Sequence, residues 1–317
     1  MQMLTEQNSS TLAYSNSESA YQVSGEGERA RDVRAFLEAK LDCLASEVEH
    51  HLGSDVIAIV GPIYPGLDEA VRVAIESRRA SSRPHRGSLA VLLETDGGVI
   101  EVVERMVSVI RHHYEDVTVI VPDSAMSAGT VFAMSADRIV MNYYSCLGPI
   151  DPQIERRGVL VPALSYLVQF ERLKERARAG VLTSAEILML RGLDLAELHT
   201  FEKARELSST LLKEWLAKYK FKDWCRTETR GIPVTTEMRE QRALEVARKL
   251  MDHEHWGSHG RPISMAVLRR DLKLVVDDLD DTPELKATVH GYFRFVSDFM
   301  ARENVSVLVH TPGVCLR

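Results

Sequence analysis

At 317 residues the chain is long enough for one large domain or two, with a substantial core. Its 45% hydrophobic and 27% charged residues are those of an ordinary globular protein, and a formal net charge of −7 leaves no electrostatic footprint for nucleic acid or an anionic membrane surface. Cys43, Cys146, Cys225 and Cys315 lie far apart with no Cys-x-x-Cys pair, which points to free thiols in a reducing cytoplasm rather than a disulfide scaffold.

Residues 1–28 are rich in Ser, Glu, Asn and Gln and lack both a basic start and an apolar run, so they read as a disordered tail, neither signal peptide nor anchor. No later apolar run approaches the ~18 residues of a membrane-spanning helix, and a soluble, cytoplasmic protein is expected. From Arg29 to Leu52 the residues Val33, Phe36, Leu37, Leu41, Leu44 and Val48 recur at helical spacing and predict an amphipathic helix, with 29–54 as a separate N-terminal unit. Val56–Val60 is the first core strand, and a helix follows over Leu67 to Arg78. Arg78, Arg79, Arg83 and Arg86 then make a basic, Ser-rich loop expected to be solvated.

Two strand-turn-helix units come next. Ser88 to Glu94 is a buried strand that ends in Gly97-Gly98 before a helix over Val99 to Tyr114. Val117 to Val121 is another, and it runs into Ser127-Ala-Gly129 at the start of a helix. Ser127 thus stands at a helix N-terminus beyond the carboxyl end of a strand, where free N–H groups favour developing negative charge. Such a Ser either caps its helix or serves as a nucleophile. Gly97-Gly98 on the neighbouring unit favours the second use, because the N–H groups of Gly98 and Ala128 could converge on one oxygen. Alternating strands and helices, continued by Arg138–Met141, predict parallel strands with right-handed crossovers.

The blocks Glu94-Thr-Asp-Gly-Gly98, Ala125-Met-Ser-Ala-Gly-Thr130 and Leu147-Gly-Pro-Ile-Asp-Pro-Gln153 resemble the serine dehydrogenase proteinase family. That family is related to the signal-peptide peptidase A group within the Clp protease/crotonase superfamily. Shorter pieces also match, namely Phe170 to Glu175, Ser208 to Phe221 and His259-Gly-Arg261, so the resemblance runs from about Val56 to Val309. It implies an α/β fold, the Clp/crotonase-like β-β-α superhelix, over 55–180, with additional C-terminal helices in a mainly helical part at 181–317 packed on that core. It also implies a serine peptidase acting on peptide or protein substrates, a homo-oligomer, and no metal, nucleotide or organic cofactor. Asp96 departs from the family's usual Pro and places a carboxylate beside the oxyanion hole.

The general base is less plain. Clp proteases carry a catalytic His soon after the Ser, but no His occurs between His113 and His199, so that triad layout is excluded. Signal-peptide peptidase A relatives pair Ser with a downstream Lys, and the resemblance makes Lys174 the leading base. The residues themselves allow Lys174 either to face inward with Leu167 or to be solvated among Glu171, Arg172, Glu175 and Arg176. Lys203 is a further alternative. Asp151 is either a loop-fixing carboxylate or a catalytic participant. In Asp252-His-Glu-His-Trp-Gly-Ser-His259, the His-x-His pattern is a poor zinc template. His259 either lines the active site, orienting Ser127 or Lys174, or belongs to a capping turn. Thr183-x-x-Glu186 is a capping box, Leu272–Val276 reads as a short strand, and Pro283 opens a last helix before a strand at Val305–Val309. Two other function classes fit the same residues. One is a scaffold or adaptor keeping the fold without activity, and the other a crotonase-type acyl-coenzyme A enzyme using Asp96.

Overall fold

Val, Ile and Leu runs buried on both faces can pair only inside a layered sheet, and this is where they lie. The computed structural model describes residues 15–156 and 159–317, with side chains from Asp32 onward except at 153–165 and at Ala204. In chain order the elements begin with α1 (Ser15–Leu52), β1 (Asp55–Val60), α2 (Leu67–Ala80), β2 (Ser88–Glu94) and α3 (Ile100–His113). They continue with β3 (Asp116–Val121), β4 (Ser124–Ala125), α4 (Ala128–Ala133), β5 (Arg138–Met141) and β6 (Cys146–Leu147). A hairpin of β7 (Gln153–Arg156) and β8 (Val159–Pro162) leads into α5 (Ala163–Arg178), α6 (Ser184–Arg191) and α7 (Leu195–Trp215). After a π-helical turn at Leu216–Lys220 come α8 (Thr236–Met251), α9 (His253–Trp256), β9 (Ile263–Ser264), α10 (Met265–Asp271) and β10 (Asp277–Asp278). The chain closes with α11 (Pro283–Glu303), β11 (Leu308–Thr311) and β12 (Val314–Leu316).

The central sheet has the order β10-β5-β3-β2-β1-β11-β12. Its five strands from β10 to β1 are parallel, and β11 joins β1 antiparallel. A second small sheet, β4-β6-β9, sits beyond the carboxyl ends of the parallel strands. Strand β3 thus hands over to β4 and then to α4, which is the expected β-β-α unit. On one face α2, α3, α4, α7, α8 and α10 pack on Ile57, Ile59, Val91 and Leu93. On the other, α1 and α11 pack on Val56, Ala58, Ala90 and Leu92. Each fully buried Ile or Leu contributes about 1.5–3 kcal/mol. His310, wholly buried on β11, bonds Tyr292 Oη (2.6 Å) and Asp42 Oδ1 (3.2 Å), which ties α11 and α1 to the sheet edge.

Four expectations change. The first helix starts at Ser15, inside the segment read as a tail, while residues 1–14 lie outside the described residues. Arg78 is no loop residue: it lies in the last turn of α2, is 2% exposed, and reaches Asp55 (2.8 Å) and Glu49 (3.1 Å). Leu272 to Val276 is not a strand. Its alternation is real, with Leu272, Leu274 and Val276 buried, but Lys273 takes a positive φ of 49° and breaks the extended run, leaving only β10 to pair with β5. The strand read as the last, at 305–309, lies at Leu308–Thr311 instead, and a further strand, β12, follows and pairs with it. The capping box of Thr183 and Glu186 forms on α6 as read. Among the described residues, no helix is long and apolar enough to cross a membrane.

Candidate active site

The parallel register brings the carboxyl ends of β2 and β3 to one edge, and the loops beyond them lie against each other. Thr95 bridges to Ala125, with Met126 N–H donating to Thr95 O (2.9 Å). Gly98 likewise bridges to Ile63 beyond β1. Here the Gly pair is obligatory. Gly97 (φ 105°) sits so close to Ser127 that a Cβ would fall 2.8 Å from the Ser127 Cβ, and a Cβ on Gly98 (φ 145°) would fall 1.9 Å from Ile63 O. Ser127 itself has φ 53° and ψ −117°, a strained conformation for a non-Gly residue. Such a sharp strand-to-helix turn lifts a side chain out of the surrounding backbone, as in a nucleophile elbow. Thr130 on α4 holds the turn: its buried hydroxyl contacts Ala125 O (2.8 Å) and Gly148 O (2.9 Å) and accepts from Gly148 N–H (2.9 Å). Among the described residues the N–H groups of Gly98 and Ala128 donate no hydrogen bond.

Ser127, Ala128, Gly98 and Asp96 line one cavity of about 520 Å³. His259 lines it too, with Ile150 and Pro152 from the loop after β6 and Ser208 from α7. Behind His259 stands Asp151, fully buried, with Oδ1 2.8 Å from His259 Nδ1. That is the distance of a charge-assisted bond, and it fixes the imidazole with Nδ1 as donor and Nε2 free to accept. The loop that carries Asp151 is anchored by Ile150 N–H to Leu250 O (3.1 Å) and by the Thr130–Gly148 contact. A hydroxyl on a strained turn, an oriented imidazole and two free amides around one cavity can perform acyl transfer.

The cavity is otherwise acidic. Asp96 and Glu101 line it, and among the described residues no Lys or Arg does. Burial, then the nearby Asp123 and Asp96 charges, push the Glu94 carboxyl above its usual range. Burial also raises the Cys146 thiol, helped by Asp123.

Of the residues singled out in sequence, the structure brings together Ser127, Gly97, Gly98, Ala128, Asp96, Asp151 and His259. It does not bring in Lys174 or Lys203. Lys174 Nζ bonds Glu171 Oε1 (2.5 Å) and stacks over Phe170 on the exposed side of α5, outside the cavity lining. Lys203 pairs with Glu206 (2.8 Å) on the exposed face of α7, which raises its affinity for the proton. Leu167 and Phe170 pack with Leu198 and Phe201 on the first part of α5, and Lys174, although on the side of Leu167, lies a turn beyond that packing. Ser208 was not foreseen as a lining residue, and a Ser in the run Ser208-Ser-Thr210 of an amphipathic helix carries no spacing signal that could have marked it. His259 is the converse case, since its one contact that matters is with a residue over a hundred positions earlier.

The family model of the ClpP-like SDH-type serine proteinases matches residues 55–254. Two uncharacterized proteins of Methanocaldococcus jannaschii are similar. MJ1495 is 27% identical over 228 residues, 68% of this chain and 73% of that protein. MJ0137 is 26% identical over 174 residues, 53% of this chain and 57% of that protein. Among solved structures, two mutants of the 1510-N membrane-bound stomatin-specific protease are similar, the second in complex with a substrate peptide. They are 13% and 14% identical with TM-scores of 0.42 and 0.40, cover 73% and 72% of this chain, and are themselves covered to 82% and 77%.

Proposed function

The chain belongs to the ClpP-like SDH-type serine proteinases, and on that premise we propose that it hydrolyses peptide bonds with Ser127 as nucleophile and His259, oriented by Asp151, as general base. The observation that carries this reading is the Asp151–His259 bond at the rim of the cavity that Ser127 lines. Ser127 Oγ attacks the peptide carbonyl carbon while His259 Nε2 takes its proton. The carbonyl oxygen becomes an oxyanion held by the N–H groups of Gly98 and Ala128, at the positive end of α4. The C–N bond then breaks and His259 returns the proton to the leaving amine. A water molecule, deprotonated by the same imidazole, attacks the acyl-enzyme, and Ser127 Oγ leaves with the proton restored. Asp151 stays ionised throughout and stabilises the imidazolium. The chain order Ser127, Asp151, His259 differs from the Clp layout, which is why a His search just downstream of the Ser finds nothing.

The test is active-site labelling by a fluorophosphonate, together with casein hydrolysis, for the full chain and three variants. Ser127→Ala is expected to lose labelling completely and hydrolysis by about 10⁴-fold or more, and His259→Ala to lose roughly 10³-fold in both. Lys174→Ala is expected to match the parent. The reverse outcome, with Lys174→Ala dead and His259→Ala active, would establish a Ser-Lys dyad instead. A parent protein that is folded yet neither labelled nor active would return the scaffold reading, and labelling at Ser127 removes the crotonase-type one.

A further inference from the structure

Two carboxylates and one hydroxyl stand unpartnered in the wall of the Ser127 cavity. Asp96 lies between the end of β2 and Gly97, and Glu101 in the first turn of α3, whose dipole favours an ionised carboxylate. Both are exposed, and neither makes an ion pair or a side-chain hydrogen bond among the described residues. Ser208 of α7 is only 6% exposed, yet its hydroxyl also makes no hydrogen bond among the described residues. Other helical serines of this chain return the hydroxyl to the carbonyl four residues back, as Ser46 (2.7 Å) and Ser108 (2.9 Å) do. A buried hydroxyl left unbonded at a cavity wall points to a ligand that completes it. The wall is otherwise apolar at Ile100, Val131 and Ile150, and the cavity, about 520 Å³, has the size of a ligand pocket. The charge there is uncompensated: the Glu94 carboxyl is raised by burial, then by Asp123 and Asp96. Apolar walls that carry a few acceptors suit a side chain with a methylene stem and a cationic tip.

We propose that Asp96, Glu101 and Ser208 select the substrate: the cavity takes the side chain of a Lys or Arg flanking the scissile bond, its stem along Ile100, Val131 and Ile150 and its tip among the two carboxylates and the Ser208 hydroxyl. The proposal rests on Ser127 being the nucleophile and not on the identity of its base. An ammonium or guanidinium brings only donors, and these three groups can all accept. An acidic side chain meets like charge, and a long apolar one leaves the Ser208 hydroxyl without a partner. A bound cation also offsets the charge of Asp96, two residues from the Gly98 N–H that holds the oxyanion, so basic substrates gain in the chemical step as well. Because Asp96 and Glu101 are exposed, solvent and salt screen their attraction, and the preference is graded rather than absolute.

The experiment measures how strongly a peptide protects Ser127 of the full chain from fluorophosphonate labelling, using blocked alanine pentapeptides with Lys, Arg, norleucine or Glu at the centre. Lys and Arg are expected to protect at about tenfold lower concentration than norleucine, which keeps the stem without the charge, and Glu only at about tenfold higher. Raising salt from about 0.05 M to about 0.5 M should shrink the Lys advantage to about threefold. Asp96→Asn and Glu101→Gln are each expected to cut the Lys-to-norleucine ratio by about threefold, and Ser208→Ala by about twofold. Asp96→Lys should make Glu a better protector than norleucine. Equal protection by Lys and norleucine, or none by any peptide, with Ser127 labelled in the parent overturns this inference alone. A Lys advantage that survives intact in both Asp96→Asn and Glu101→Gln moves recognition to other residues and overturns it too. Should Asp96→Asn fail to fold by circular dichroism, the ratio in Glu101→Gln decides. A folded parent that the fluorophosphonate does not label overturns the nucleophile assignment, and this proposal with it.

Discussion

The two ends of the central sheet are built on opposite terms. Where β1, β3 and β5 begin, polar groups close on one another. Asp55, fully buried, accepts from Arg78 (2.8 Å), Tyr114 Oη (2.9 Å) and Arg86 N–H (3.2 Å). Asp137 accepts from Arg111 (2.8 Å) and Val117 N–H (2.7 Å), with Lys222 at 2.7 Å. Lys220 donates to Asp137 O (3.2 Å), and burial pushes its ammonium down to about 8. Where β2 and β3 end, at the opposite edge, Glu94, Asp96 and Asp123 crowd together, Ser127 is strained, and two amides are left open. A satisfied end contributes stability, and an unsatisfied end holds groups ready for a substrate that completes them.

The largest effect should come from breaking the satisfied end. Arg78→Leu leaves Asp55 buried without its cation, a change of about 3–5 kcal/mol, or roughly 6–15 °C in Tm. Thermal unfolding checks this, and fluorophosphonate labelling per folded molecule should stay at the parent rate. Lost labelling with an unchanged Tm would mean that the two ends are not separable in this way.

The same contrast explains what the sequence could and could not tell. The core strands, their parallel pairing and the Gly97-Gly98 and Ser127 loops were legible because β-branched runs, a Gly pair and a Ser at a helix start are local signals. The partners were not. Arg78 looked like a solvated loop residue because nothing near it in sequence announces Asp55, 23 positions away. Lys174 looked inward because it shares the side of Leu167, yet the packing of α5 against Leu198 and Phe201 reaches only as far as Phe170, and Lys174 pairs with Glu171 beyond it. Asp151 and His259 were each noticed, but only the packing of the β6 loop against the segment after α8 pairs them across 108 positions. The alternation of Leu272, Leu274 and Val276 mimicked a strand because burial alternates there without a ladder to pair with.

A middle-sized effect separates the ends by pH. Burial alone would raise the Asp137 carboxyl, but hydrogen bonds from Lys222, Val117 N–H and Arg111 hold it below its usual range. A depressed carboxyl contributes stability that is complete above its unfolded value, near 3.8, and is lost as pH falls through the folded one. Asp137→Asn is therefore expected to cost about 1–3 kcal/mol at pH 7, and the gap to the parent should close below about pH 4. Denaturant unfolding across pH 3 to 7 reads this directly. A gap that stays constant with pH would assign the loss to packing rather than to charge.

The smallest effect has the opposite sign and comes from the open end. Glu94 is a partly exposed carboxyl whose ionised form is disfavoured by burial and by Asp123 and Asp96, and among the described residues no cation pairs with it. A carboxyl raised in this way adds stability only while protonated, and that contribution is lost as pH rises from about 4.5 through the folded value. Glu94→Gln removes the charge without changing the shape, so it should raise Tm by about 1–2 °C at pH 7 and do nothing below about pH 4. The oxyanion at Gly98 would also feel one negative charge fewer, so labelling should hold or quicken by up to about threefold. A lower Tm would mean that Glu94 is satisfied in the folded protein, and the open end would then be as closed as the other.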